Sequence, residues 1–434
     1  MSNGGALTAD GSGYAFAEPA QASVARADAK ASRLFVHITL ILAIILQRFG
    51  ILAGGGTSAL FVAVPGLLAL LAWIILSGRA RLDSDLALYF LAFLGAVSIS
   101  ATVAFAFPDN RVALSLTSPI AVLINYGLFL VRPNERFDRT VVLDIFLFYV
   151  RLCAVLAIIQ YLVQFVGLRF FAFGPTFPFL NPILVEQVFN FDPVVAWGST
   201  TRRATGIFPL EPSILSQLLV LAAVIDFFLY RRMRWVPAYA VAYMFSYSGT
   251  GAISLLLALP PFVLLFHRQA SRLVTLAIVG VGLLGVTAIL LPEQFNSFTS
   301  RSGELSSKQS SGHARFVGQF EVLGVVIDEP RALIGYGPGA LERATFFQRG
   351  TTGPISKLTI DYGMIGCLLF MVLILKAFWR WDMAILPLVV LMQFLTGGGY
   401  FVFTPLIAIY MLLSVWAVPP KEAEAPPSEA TAAG

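Results

Sequence analysis

Runs of about 20 apolar residues recur along this 434-residue chain, each long enough as a helix to cross a bilayer core of about 30 Å. In hydrocarbon, backbone polar groups must be satisfied within the protein, so only helices or closed barrels span it. Barrel strands would show shorter, alternating segments, and the chain has none of that pattern. A mean hydropathy of +0.81, with 58% hydrophobic and 12% charged residues, excludes an ordinary soluble domain, where charged residues are about 25%. The expected fold class is therefore an all-α polytopic membrane protein.

The spans read as Leu34–Gly50, Ala59–Leu76, Leu86–Phe107, Val112–Val131, Val141–Gly167, Leu210–Tyr230, Trp235–Tyr247, Ala252–Phe266, Leu273–Leu291, Ile355–Phe378, Ala384–Thr396 and Phe401–Trp416. That makes about twelve crossings, with Trp235–Tyr247 and Ala384–Thr396 short for a full one. Basic residues fall in alternate connections: Arg79 and Arg81; Arg132, Arg136 and Arg139; Arg231, Arg232 and Arg234; Arg268 and Arg272; Lys376 and Arg380. The short connections between them, Leu52–Ser58, Ser248–Gly251 and Gly397–Tyr400, carry no lysine or arginine. The positive-inside rule then predicts cytoplasmic termini and two large periplasmic loops, about 168–207 and 293–354. Residues 1–33 and 418–434 are expected to be disordered cytoplasmic tails flanking a membrane domain of residues 34–417. The first thirty residues lack the pattern of a cleavable signal peptide.

The net charge of +5 sits largely in those short connections. It marks orientation in the membrane and gives no reason to expect a nucleic-acid partner. Cys153 and Cys367 lie within apolar spans, where a thiol packs as a small apolar group, so no disulfide framework is expected. His37, His267 and His313 are far apart in sequence, which makes a metal site improbable; no metal and no cofactor are expected. Asp83-Ser84-Asp85 has the form of a metal-binding DxD, but it occupies a connection of a few residues without a Rossmann-like domain. A helix cap is its simpler role. Ser248-Gly249-Thr250-Gly251 reads as a tight turn allowing close helix packing.

Polar chemistry is thus confined mainly to the two large loops. The first is aromatic and proline-rich (Phe170, Phe171, Phe173, Pro175, Phe177, Pro178, Phe179, Pro182, then Asn190, Asp192 and Trp197), a composition suited to the membrane–water boundary. It closes with Arg202 and Arg203, then Glu211, Pro212 and the next apolar helix. Helix N-termini favour anions, and an acid within an apolar stretch is a functional candidate. The second loop carries Arg301, Lys308, His313, Arg315, Arg331, Arg343 and Arg349 among its acids. Phe316, Phe320, Leu323 and Ile327 recur at helical spacing, predicting an amphipathic helix from Gly312 to Asp328 with Arg315 on a neighbouring face. Gly335-Tyr336-Gly337-Pro338-Gly339 follows as a turn of permissive backbone.

Three segments, in order, resemble the bacterial O-antigen polymerase and O-antigen ligase group of integral-membrane glycosyltransferases. Arg203-Ala-Thr-Gly-Ile-Phe-Pro-Leu-Glu-Pro-Ser is similar to that group's arginine-x-x-Gly-x-Phe opening of a helix. Ser248-Gly-Thr-Gly-Ala-Ile is similar to its serine-rich turn, although Gly249 stands where an arginine is frequent. Arg315, then Asp328-Glu-Pro-Arg-Ala-Leu-Ile-Gly-Tyr-Gly-Pro-Gly, then Ile355-Ser-Lys-Leu-Thr-Ile-Asp-Tyr-Gly-Met-Ile-Gly, is similar to its glycine turn and entry into the following span. The ligases carry a histidine shortly before that span. Gly353-Pro354-Ile355-Ser356 stands there instead, and His313 lies too early, so a polymerase fits better than a ligase.

The resemblance, which covers residues 202–378, implies a metal-independent C-type glycosyltransferase fold. It implies donor and acceptor oligosaccharides carried on undecaprenyl diphosphate, in a bacterial inner membrane with flippase and chain-length-regulating proteins as partners. A departing lipid diphosphate needs charge stabilisation, which arginine supplies without metal. Arg203, Glu211, Arg301 and Arg315 are the expected catalytic residues, Glu211 taking the acceptor proton with Asp328 behind it. Arg202, Asp328, Tyr336 and Lys357 are expected to bind substrate. The rival expectation is a transporter of the same lipid-linked sugars, but no repeated halves are visible.

Overall fold

A computed structural model describes residues 17–53, 58–109, 112–115, 117–168, 176–185, 193–195, 199–266, 317–343, 353–383, 385–396 and 403–420, with isolated positions 282, 285, 289 and 313. The expected span Leu273–Leu291 is outside these apart from those isolated positions, and most of the loop from Glu293 to Phe316, with Arg301, Lys308 and Arg315, lies outside them too.

Apolar runs fold as helices here because each then satisfies its own backbone. The described helices are α1 (Ala17–Leu40), α2 (Ala63–Leu76), α3 (Ser84–Ala106), α4 (Thr117–Gly127), α5 (Val141–Val163), α6 (Pro212–Val224), α7 (Val236–Ser246), α8 (Thr250–Leu265), α9 (Gly318–Val326), α10 (Ala340–Arg343), α11 (Pro354–Phe378), α12 (Leu386–Thr396) and α13 (Thr404–Met411). Helices α1, α6 and α13 run on through wider π-type turns, Ile41–Ile45, Ile225–Leu229 and Leu412–Trp416. The protein is a mostly helical membrane protein. Among the described residues, four stretches are long and apolar enough to cross a bilayer: Ser84–Ala106, Val141–Val166, Pro212–Leu229 and Pro354–Phe378. Ala63–Leu76, Thr117–Leu130, Val236–Ser246, Thr250–Leu265, Leu386–Thr396 and Thr404–Trp416 are apolar but shorter. Helix α3 packs along α11, α8 against α12 and α6, and α5 and α6 against α7. Helix α6 is the most enclosed of these, buried on all sides from Ser213 to Ala222.

Among the described residues, two short antiparallel ribbons decorate the helix ends. β1 (Gly50–Ala53) pairs with β2 (Ser58–Phe61), and β3 (Ala80–Leu82) pairs with β4 (Val131–Pro133) with Arg81 opposite Arg132. The β3–β4 ribbon leads into α3, whose N-cap is Asp83: its carboxylate accepts from the Asp85 and Leu86 amides at 3.0 Å and pairs with Arg132 at 2.5 Å. The Asp-Ser-Asp sequence is thus a helix cap, as its context suggested.

Residues 17–33, expected as tail, are helical. Asp28 is the reason: Arg79 reaches it at 2.8 Å and Arg136 at 3.1 Å, while Ser32 accepts from the Asp138 amide at 2.9 Å. These contacts tie the first helix to two connections and stabilise turns that a free tail would lack. Next to them, Trp416 is fully buried between Phe35 and Phe137. Arg139 donates to the carbonyls of Val415 and Ala417 at 2.9 and 3.2 Å, a cation at the negative end of the last helix. Burial lowers that guanidinium to about 10.

Of the amphipathic helix expected over Gly312–Asp328, the described residues give α9 at Gly318–Val326, with Gly312 and residues 314–316 outside them. Its apolar stripe faces away from the protein: Phe320 is 60% exposed and Ile327 54%.

Candidate functional site

Two stretches of irregular backbone are held inside the helical body, and each is built around buried charge. The first is the entry to α6. Gly206 and Ile207 both have positive φ, 77° and 69°, and the second is costly for a β-branched residue. Such backbone forms no ladder of its own, so side chains must satisfy it. Gln160 of α5 accepts from the Thr205 and Gly206 amides at 2.8 and 3.0 Å. Gln47 accepts from the Leu210 amide at 2.7 Å. Arg48, 1% exposed, donates Nε to the Ile207 carbonyl at 3.0 Å and Nη2 to the Pro209 carbonyl at 2.7 Å. A Cβ at Gly206 would press on the Cys153 carbonyl at 3.0 Å, so glycine is required there twice over.

This scaffold carries the expected residues. Glu211 occupies the N-cap position of α6 with Pro212 in the first turn. It interacts electrostatically with Arg48 and accepts from Ser213 Oγ at 2.6 Å. Arg203 is partly exposed, and its Nη2 donates to the Val195 carbonyl at 3.0 Å. Arg202, also partly exposed, is fixed by its amide, which donates to Gln164 Oε1 at 2.8 Å. Behind the entry, Ser216 Oγ accepts from the Gly251 amide at 3.2 Å, and a Cβ at Gly251 would collide with the Ser216 carbonyl. The serine-glycine turn is therefore a close crossing of α6 and α8.

The second stretch is the glycine turn after α9, locked into a break in α11. Within Pro354–Phe378 the helix is interrupted at Gly363 (φ 76°, ψ 174°). The freed carbonyls are taken by the turn: the Tyr336 amide donates to the Ile360 carbonyl at 2.8 Å and the Gly337 amide to that of Asp361 at 3.0 Å. Ser100 of α3 donates to the same Asp361 carbonyl at 2.7 Å. The fully buried Asp361 carboxylate accepts from the Gly339 and Leu341 amides at 3.1 and 3.0 Å, and from Lys357 Nζ at 2.8 Å. Glu342 meets the other side of Lys357 at 2.5 Å. An aspartate in hydrocarbon is tolerable only when paired and hydrogen-bonded in this way.

The expected site residues thus divide. Arg203 and Glu211 share the α6 entry with Arg48, whereas Tyr336 and Lys357 belong to the Asp361 assembly. Lys357, expected to meet substrate, is instead buried with its ammonium committed to Asp361 and Glu342. Tyr336 is likewise buried, and its hydroxyl donates to Glu329. In this structure both are parts that shape the turn. Asp328 is exposed just beyond α9, and Arg301 and Arg315 lie outside the described residues. Arg48, Gln160, Asp361 and Glu342 were not singled out from sequence as site residues. The signal available for two of them was a charge inside an apolar run.

A third buried set is closed on itself. Arg151 Nη2 donates to both Asp226 oxygens at 2.8 and 3.0 Å, and Tyr239 donates to Asp226 at 2.7 Å. It joins α5, α6 and α7 within the bundle.

No protein-family model matches this chain, and no curated protein matches it.

Proposed function

We propose that the chain is a membrane glycosyltransferase that joins undecaprenyl-diphosphate-linked oligosaccharide repeats at the periplasmic face of a bacterial inner membrane. In the reaction, an acceptor hydroxyl attacks the donor's anomeric carbon, the bond to the lipid diphosphate breaks, and undecaprenyl diphosphate leaves. Glu211 takes the hydroxyl proton. Arg203, with Arg301 and Arg315, stabilises the leaving diphosphate through forked donors. Arg202 and Asp328 contact the saccharides. The C-type fold, about twelve spans and cooperation with flippase and chain-length regulators belong to the same proposal.

The observation that carries it is the construction of the α6 entry. The segment that resembles the polymerase group holds an arginine and a glutamate, partly exposed, on backbone fixed by buried Arg48, Gln47 and Gln160. Preorganised charge at the membrane boundary is what metal-free departure of a diphosphate requires. The contacts between connections support the orientation. One set joins Asp28 to Arg79 and Arg136, and Arg139 to Val415, on the arginine-rich side that the positive-inside rule places in the cytoplasm. The other joins Phe107, Leu114 and Ser115 to Arg331, Arg343 and Pro338.

A transporter of the same lipid-linked sugars is the second reading. The break of α11 beside Lys357 and Asp361 favours it, since discontinuous helices carry the sites of many carriers. Protein reconstituted with lipid-linked repeats separates the two. Glycosidic bond formation supports the transferase. Movement of repeats across the bilayer without any bond formed supports the carrier and removes the transferase.

A further inference from the structure

The apolar side chains of Phe320 in α9 and of Ile327 at its end point outward. Phe320 and Ile327 lie seven residues apart on one side of the helix, with Leu323 between them, and Val326 is turned inward and buried. The exposed acids Glu321 and Asp328 fall on the adjoining flank, as successive rotations of about 100° per residue require, with the equally exposed Val325 beside them. Leu333, on the turn that follows, is exposed as well.

What lies next to this stripe identifies its occupant. The α9 helix packs on α11, and Arg331, just after it, donates to the Phe107 carbonyl at the end of α3. Helix α3 is one of the four long apolar stretches, and its outward side shows Leu88, Leu91, Ile99 and Phe105. That belt meets lipid if α3 crosses the bilayer, and it continues past Phe107, itself 67% exposed. The stripe of α9 therefore prolongs a lipid-facing surface at the level where it ends. Its location, continuing a lipid-facing belt, and its exposed Phe320, Val325 and Ile327 suit the membrane interface, where a helix seats apolar side chains at the headgroup–acyl boundary. Contiguous exposed apolar patches mark protein or membrane contact sites.

We propose that α9 lies in the plane of the membrane boundary, with Phe320, Leu323 and Ile327 seated among the lipid acyl chains and Glu321 and Asp328 turned to water. The occupant of the stripe is the bilayer itself. This assignment depends on the membrane reading and not on the glycosyltransferase reading, so the two can fail separately.

Spin labels on single cysteines test it in the full chain in phosphatidylcholine–phosphatidylglycerol nanodiscs. Phe320→Cys, Ile327→Cys and Glu321→Cys are labelled, with Leu91→Cys as the reference for α3. The wild-type chain, whose Cys153 and Cys367 are buried, is the blank. Relaxation by oxygen, which concentrates in lipid, is compared with relaxation by a water-soluble nickel chelate. Positions 320 and 327 should favour oxygen, as position 91 does, and position 321 should favour nickel. Nickel-favoured relaxation at 320 and 327 places the stripe in water and overturns the assignment. Shielding of both positions from both reagents means that protein covers the stripe, residues 291–312 or another chain, and overturns it equally. Quenching of spin-label signal amplitude by unfolding is checked by size-exclusion profile, and Leu333→Cys repeats the measurement at a position outside the helix.

Discussion

Gly335 and Gly363 close on one another so tightly that a Cβ at Gly335 would lie 2.5 Å from the Gly363 nitrogen. Both have positive φ, 93° and 76°. The turn after α9 and the break in α11 are therefore one feature made from two sides. Gly335→Ala adds left-handed strain of about 1–2 kcal/mol and a clash worth roughly 1–3 kcal/mol more. Gly363→Ala should behave alike, because its Cβ would strike the Leu333 carbonyl. Gly95→Ala on α3, with nothing within 4 Å, should be neutral or stabilising. Thermal unfolding in detergent, followed by size exclusion, checks the ranking; equal melting of all three variants would sink this account of the break.

Lys357 and Asp361 should couple. Lys357→Met strands a buried carboxylate, which costs about 3–5 kcal/mol, partly offset because the Gly339 and Leu341 amides remain. Asp361→Asn leaves the lysine with Glu342, which is half-exposed. The double variant removes both charges and should lose less than the two single losses added. A thermal double-mutant cycle with strict additivity would show that the pair does not interact.

How much of this was readable beforehand differs by distance along the chain. The Asp83 cap was legible because capping is decided within three residues. The helices were legible because hydrocarbon compatibility is a property of each run alone. The break at Gly363 was not, since Leu-Thr-Ile-Asp-Tyr-Gly-Met reads as continuous helix until the turn from Gly335 is laid against it. Arg48 sits in an apolar run far from Ile207 and Pro209, whose carbonyls it serves, so only the fold reveals its partners. The stripe of α9 had the right period, but periodicity cannot say whether an apolar face meets protein or lipid.

Arg48 makes the α6 entry possible, and this gives a structural prediction. Arg48→Ala leaves the buried Pro209 carbonyl unsatisfied, at about 1–3 kcal/mol, frees the part-buried Ile207 carbonyl, and removes the cation that interacts with Glu211. Arg48→Lys keeps charge but lacks the fork that serves both carbonyls, so it should fall between wild type and alanine. Limited proteolysis read by mass spectrometry should show new cleavage within residues 202–211 in the alanine variant. Unchanged protection there would remove Arg48 from its scaffolding role.

Asp28 predicts an acid dependence at the opposite end. Its hydrogen bond from Arg136 is the leading cause that holds the carboxyl below its ordinary 3.8, with Arg79 adding to it and burial opposing. A group whose folded pKa is depressed stabilises the fold above its unfolded value, and that contribution is lost as pH falls through the folded value. Asp28→Asn should therefore melt earlier than wild type at pH 6. The gap should shrink as pH drops below about 3.8 and the wild-type carboxyl becomes protonated. A gap that is constant across pH would mean that the side chain's shape, not its charge, anchors α1.

Arg203 separates the chemistry from the scaffold. Its backbone amide donates to the Pro193 carbonyl at 2.8 Å and does not depend on the side chain, and the residue is partly exposed. Arg203→Ala should therefore fold and melt much like wild type. Under the proposed reaction it loses a donor to the departing diphosphate, and removal of one such donor lowers turnover by about 10²–10³-fold. Arg203→Lys supplies a point charge without the fork and should recover part of the rate. Single-turnover assays with a preformed lipid-linked repeat measure the chemical step apart from binding. Full turnover in a folded Arg203→Ala protein would leave the diphosphate to other arginines and remove this residue from the mechanism.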